Sequence, residues 1–238
     1  MHNIVCFFPE AINIPLFEDG PKISLKLEDI ARANNISADS AHDAIADCNL
    51  MIDVTKKINA VVPDVLNSFL NISTKPGVMS LLNSDGFLAL GEVFRRQMFR
   101  YPVVFCGSDP TRPNEIVFFD LSFDDPEEIL ELELSEIFKL INAGGRDGPL
   151  KKYKINKTIP ICHSDLLNDK TLFDVNFDEL NRRAQLVKNH KDFQTKVSQA
   201  MSDRMMSFPE PEHVEQTIYS GGFPSYKDKN LMQEFHIT

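Results

Sequence analysis

The chain has 238 residues, 42% hydrophobic and 25% charged, which suits one large domain or two smaller ones with a packed core. Cys6, Cys48, Cys106 and Cys162 lie far apart with no C-x-x-C pair, so a zinc site or disulfide framework is disfavoured and a reducing compartment is expected. The net charge of −10, taken alone, argues against a nucleic-acid partner, because phosphate binding needs positive surface.

The first stretch, NIVCFF, is too short for a membrane span and lacks a basic n-region, so neither a signal peptide nor a transmembrane segment is expected. FFPEAINIPLFEDGPK, with three prolines and a glycine, reads as an extended entry. SLKLEDIARANN places Leu27, Ile30 and Ala31 on one helical face, with Ser24 as cap and Asn34 or Asn35 as a left-handed end. A second helix follows, capped by Asp39 or Ser40. Its stripe runs through Ala41, Ala44, Ile45, Cys48, Met51, Ile52, Thr55 and Ile58 at intervals of three and four.

After Pro63 the pattern changes. PDVLNSFLNI is a short helix. GVMSLLNSDGFLALGEVF and YPVVFCGSDPTRPNEIVFFDLSF read as strands separated by turns, and the apolar runs PVVFC and IVFFDL as buried strands. DDPEEILELELSEIFKLINAGG fits a strand followed by a helix. LKKYKINKTIPI alternates as a strand, and residues 176–206 are helical over most of their length. SFPEPEHVEQ is a proline-rich break, and a new segment opens after it. No internal repeat is present.

His42, Asp43 and Asp47 admit three readings. The first is that they are ordinary helix-start residues, since acids suit the first turn. The adjacent His-Asp pair also suits a metal phosphohydrolase, although only His2 lies upstream as a further histidine ligand. The third reading is a two-metal exonuclease, in which a histidine deprotonates the attacking water and carboxylates hold the metals. On a helix His42 and Asp47 stand roughly 7.5 Å apart along the axis and about 140° around it. They do not touch, but they can flank one phosphate.

H-D-A-x-x-D at His42–Asp47 is similar to the third exonuclease motif of the histidine-bearing branch of the DEDD superfamily. With EAINIP, SLKLEDIARANNIS, NEIVFFDLS, LKKYKINKTIPI and IYSGGF in the same order, the chain resembles the bacterial exodeoxyribonuclease I family. The resemblance implies an α/β (α+β) fold. Residues 1–62 would form the C-terminal part of an RNase H-like exonuclease domain, 63–207 an SH3-like DNA-binding domain, and 208–238 the start of a helical domain. It also implies magnesium-dependent 3′-to-5′ hydrolysis of single-stranded DNA in repair and recombination, in the cytoplasm and without a membrane partner. His42 would be the general base, Asp47 a Mg2+ ligand and Lys26 a substrate-phosphate contact. Asp43 would cap or orient.

The departure from the family is large. Its Asp-x-Glu strand and third acid have no counterpart before His42, so three of four metal-binding carboxylates are expected to be missing. The resemblance implies a two-metal site left incomplete, and a chain cut short at both ends. IVFFDLSF imitates the Asp-x-Glu strand, but Ser122 holds the glutamate place and a core strand is expected. The alternatives are a non-catalytic single-stranded DNA-binding fragment and one half of a split nuclease. In the second, a separate chain would carry the missing acids. Its strand would pack on the second helix, so Ala44, Ile45, Cys48 and Met51 are expected to be partly uncovered. Single-stranded DNA-binding protein is a further possible partner.

Lys151, Lys152, Lys154 and Lys157 gather around Tyr153, a local positive patch in an acidic chain. Lysines place phosphates and tyrosine can stack on a base. Composition alone favours a solvated edge strand. The resemblance instead makes Lys151, Asn156 and Lys157 DNA contacts, with Lys75 and Asn114 as further polar DNA-side positions. Arg182, Arg183 and Lys188 read as a solvated helix face.

Overall fold

A computed structural model of the protein describes residues 1–17, 22–37, 44–123, 126–143, 148–203 and 225–237. At its centre is a five-stranded antiparallel sheet of β1 (Leu88–Phe94), β2 (Gln97–Ser108), β3 (Glu115–Asp120), β4 (Leu150–Lys154) and β5 (Ile161–His163), in the order β4-β3-β2-β1-β5. Period-two alternation sends successive side chains to opposite faces. Val104, Val117 and Phe119 enter one core, and Val103, Ile116 and Phe118 another. Both faces are therefore covered, which explains why IVFFDL is apolar without a break. β2 carries an irregularity between Phe105 and Gly107 in its pairing with β3. There Gly107 leaves room for α9 (Lys191–Ser202), because a Cβ would stand 2.7 Å from Val197 Cγ1.

The Tyr153 hydroxyl on β4 donates to Glu92 Oε1 on β1. β3 and β2 lie between those strands, so a flat sheet would hold them about 14 Å apart. The hydrogen bond shows that the sheet curls until its first and fourth strands approach.

Helices cover the sheet. α7 (Leu134–Ala143), α8 (Phe177–Asn189) and α9 bring Ile137, Ile141, Leu180, Ala184, Phe193 and Val197 onto the face bearing Phe119. α1 (His2–Phe7) lies on β1 at Gly91, whose amide donates to Asn3 Oδ1 at 3.1 Å. A Cβ at Gly91 would stand 2.8 Å from that oxygen, so glycine is required for the close approach. α2 (Leu27–Ala33), α3 (Ala44–Val61) and α4 (Pro63–Asn71) complete a second core with Phe7, Phe8, Ile30, Val54 and Ile58. Among the described residues no helix is long and apolar enough to cross a membrane.

Several expectations are corrected. GVMSLL belongs to α5 (Lys75–Leu82), not to a strand. Thr74 caps it by accepting from Gly77 N at 3.3 Å, Pro76 suits its first turn, and Val78 and Leu82 fall one turn apart on the buried side. The acidic stretch after Pro126 is α6 (Glu127–Leu130) followed by α7, with no strand. Ser24 does not cap α2 directly; its hydroxyl donates to Asp29 at 2.5 Å. The left-handed end does appear, at Asn35 with φ 56°. Arg183 and Lys188 are not a solvated face. Arg183 donates to Leu121 O at 3.0 Å and to Phe123 O, and Lys188 donates to Gly86 O at 2.9 Å and to Ser84 O, so α8 clamps two turns of the sheet.

Residues Met1–Arg204 form one compact unit and Met205–Thr238 a second. The described part of the second is α10 (Tyr226–Ile237), whose start is capped by Ser225 and Asp228.

Candidate nucleic-acid interface

His42 and Asp43 lie outside the described residues. Asp47 is the acid of α3's first turn. Lys26 is exposed at the N-cap of α2, where its carbonyl accepts from Ile30 N at 3.0 Å. α2 and α3 pack on each other, so Lys26 and Asp47 belong to neighbouring helices. Among the described residues, no three His, Cys, Asp or Glu side chains are grouped to hold a metal ion. Asp47 and its described neighbours do not fit a magnesium site by themselves, because an enzyme-like site draws on several oxygen ligands.

α3 shows two apolar lines. Leu50, Val54 and Ile58, at i, i+4 and i+8, are buried. Ala44, Ile45, Cys48 and Met51 are exposed, Ile45 at 72%. The exposed line continues through Ile52 into a shallow apolar depression shared with Leu66 of α4.

The DNA-side candidates of the sheet mostly converge. Lys75 Nζ donates to Asn114 Oδ1 at 3.0 Å, and Ile155 N donates to Asn114 O at 2.9 Å. Lys75, Asn114 and the turn carrying Asn156 and Lys157 therefore form one cluster, with both turn residues exposed. Lys151 differs. It is 6% exposed, pairs with the 2%-exposed Asp120 at 3.2 Å, and lies over the Tyr101 ring at 4.1 Å. Asp120 also accepts from Ser122 N at 3.0 Å. The Asp and Ser of IVFFDLSF thus serve a buried ion pair, which gives Lys151 a structural part and leaves its neighbours to face solvent.

β4 is an edge strand, and beside it opens a groove of about 990 Å³. Its lining combines Phe69, Phe94 and Tyr153 with Arg112, Lys152, Lys154 and Lys157. Glu115 at its side is balanced by Lys154 at 3.4 Å and Arg112 at 3.7 Å, while Arg112 also pairs with buried Asp109 at 2.9 Å. Burial pushes the Asp109 carboxyl up, but hydrogen bonds from Thr111 and Arg112 outweigh it and hold the group below its usual range. Aromatic rings beside cations are the chemistry of a single-strand binder. Sequence reasoning passed over Phe69, Phe94 and Arg112, as well as Arg95 and Arg96 beside Phe94. The visible signal was the Arg-Arg pair between two alternating apolar runs.

No family model matches the chain. Exodeoxyribonuclease I of Buchnera aphidicola subsp. Baizongia pistaciae is 25% identical over 97% of the chain and 49% of its own length. Exodeoxyribonuclease I of Haemophilus influenzae is 27% identical over 94% of the chain and 50% of its own length. The chain thus spans about half the length of the curated relatives it matches. The crystal structure of E. coli Exonuclease I in complex with a dA16 oligonucleotide superposes over 100% of the chain and 53% of its own, with TM-score 0.70 and 22% identity. An ExoI/SSB-Ct complex does so over 100% of the chain and 51% of its own, with TM-score 0.67 and 21% identity.

Proposed function

We propose that this protein is an exodeoxyribonuclease I-type DNA-processing protein that holds single-stranded DNA along the groove beside β4. The observation that carries this reading is the match, over nearly the whole chain, to relatives named for that activity. The groove supplies suitable chemistry: rings for bases and lysines for phosphates. Lys75, Asn114, Asn156 and Lys157 guide the backbone, and Lys151 holds β4 in place through Asp120. Residues 63–207 act as the SH3-like DNA-binding domain and residues 1–62 as the end of the RNase H-like nuclease domain.

If further carboxylates completed the site, His42 would take the proton from the attacking water, Asp47 would be one of several magnesium ligands, and Lys26 would meet the substrate phosphate. Magnesium held in such a completed site would activate water and neutralise charge at the phosphate. This chain by itself holds and orients the strand. The 3′-to-5′ direction, the repair role, the cytoplasmic location and contact with single-stranded DNA-binding protein belong to the same proposal; the ExoI/SSB-Ct complex supports the last.

A second reading, one half of a split nuclease, is favoured by the exposed line on α3. Ile45, Met51 and Ile52 suit burial against a further polypeptide, and Asp47 stands on the same helix. The test is nucleotide release from 3′-labelled single strands with magnesium, beside binding by fluorescence anisotropy. The full chain is expected to bind weakly with strong salt dependence and to release no nucleotide processively. Release that survives Asp47→Ala would overturn the metal assignment, and absence of binding would overturn the function.

A further inference from the structure

β1 and β2 pair from Leu88↔Val103 to Phe94↔Gln97, leaving Arg95 and Arg96 as a two-residue hairpin loop. Arg95 has φ 48° and Arg96 has φ 66°. Two consecutive positive φ angles mark a type I′ turn, a position that favours Asn-Gly because side chains crowd the backbone there. Conformation alone does not select arginine at either place.

The turn is also held firmly. Ile23 N donates to Arg96 O at 2.9 Å, and the Arg96 guanidinium lies over the Phe17 ring at 4.1 Å. The Arg95 guanidinium lies over the Phe94 ring at 5.3 Å, and Phe94 as a residue is 47% exposed. Among the described residues no carboxylate is paired with either guanidinium. Phe94 in turn lines the groove that holds Tyr153, Lys152, Lys154 and Lys157. The tip therefore continues the groove with one half-exposed aromatic residue and two cations.

We infer that the Phe94–Arg95–Arg96 hairpin tip is a second contact for single-stranded nucleic acid, with Phe94 stacking on a base and the two arginines meeting flanking phosphates. The inference rests on the groove reading and extends it past the lysine strand to a strained turn. A carboxylate-bearing peptide would use the cations but has less need of the exposed ring, which every base can stack on.

The test uses the full chain, fluorescently labelled oligo-dT and a salt titration. Arg95→Asn with Arg96→Gly suits the turn better, so the melting temperature should hold or rise while affinity falls about tenfold. The slope of log affinity against log salt should flatten by about 1.4, or 0.7 for each lost phosphate contact. Should that pair fail to fold, Arg95→Gln with Arg96→Gln reads the same loss of charge at similar side-chain length. Phe94→Leu should weaken binding without flattening the slope. Unchanged affinity and slope in the folded arginine variants, with weaker binding in Lys152→Ala/Lys154→Ala/Lys157→Ala, would overturn the hairpin contact and leave the groove reading standing. No binding by the unaltered chain would overturn both.

Discussion

Phe118 and Phe119 are neighbours on β3, and both are completely buried; Met51 and Ile52 are neighbours on α3, and they are 52% and 50% exposed. On a strand, adjacent side chains leave on opposite faces, so burying both requires cover on each side of the sheet. α7, α8 and α9 cover one side, while Val78 and Leu82 of α5 help cover the other. On a helix, adjacent residues stand about 100° apart and share much of one face. That face of α3 is open, while the line through Leu50, Val54 and Ile58 is closed. The contrast separates two meanings of an apolar stretch. One is a core already made, and the other is a surface suited to a core shared with something else.

The largest expected effect lies in the closed region. Phe118→Ala and Phe119→Ala should each cost about 3–5 kcal/mol, whereas Met51→Ala and Ile52→Ala should change stability by no more than about 0.5 kcal/mol. Urea denaturation of the four variants measures this directly. Comparable losses on α3 would show that its open line is packed in solution and would erase the contrast.

The next effect divides the lysine strand. Lys151→Ala leaves Asp120 buried without its cation and should cost about 3–5 kcal/mol. Lys157→Ala, at an exposed turn, should leave stability within about 0.5 kcal/mol. Combining Lys151→Met with Asp120→Leu should restore most of the loss. If the single and double variants unfold at the same urea concentration, the ion pair is not what holds β4.

Thiol chemistry compares the same two regions without mutation. Cys48 is exposed on α3, while Cys6, Cys106 and Cys162 are buried. Burial pushes the Cys6 thiol up to about 11 and Cys162 up to about 12, and Cys106 is raised as well. For Cys6 the shift from 9.0 thins the reactive thiolate by about a hundredfold. One thiol per chain should therefore label quickly and three only on unfolding, with mass mapping placing the quick label on Cys48. Protection of Cys48 in the isolated chain would mean that the α3 face is already covered.

The smallest effect is at the surface of α8. Hydrogen bonds from Arg182 and then Arg183 hold the Glu179 carboxyl down to about 2. A carboxyl lowered on folding stabilises the native state above its unfolded value and loses that contribution as pH falls from about 4.5 towards 2. Glu179→Gln should thus differ from the parent at pH 7 and converge with it progressively as pH falls from about 4.5 to about 2 in thermal melts. A constant difference across that range would assign the effect of the substitution to packing.

Much of the helical organisation was legible locally. The helical period of α3, the short helix after Pro63 and the amphipathic stretch that became α8 and α9 need only a 3.6-residue repeat, although of the described residues in the stripe expected on α3 only Ile58 is buried, beside Leu50 and Val54. GVMSLL was misread as strand because a short apolar run has no decisive period, and its Thr74 cap and Pro76 were the signals that settled it. Lys75 and Asn114 were named separately, and only the fold joins them by a hydrogen bond 39 positions apart in the chain.

By itself the sequence determined where most of the helices and the central strands form, because turn residues and hydrophobic periods act over a few neighbours. It also determined that positive charge gathers around Tyr153. Only the tertiary structure decided which lysine of that group is buried, since Asp120 lies 31 positions away and meets Lys151 through the pairing of β3 with β4. The curl that joins Tyr153 to Glu92 and the choice of Leu50, Val54 and Ile58 as the inner line of α3 were decided at the same level. The reason is physical: burial and ion pairing depend on which distant surfaces meet, and a local pattern carries no record of its partner.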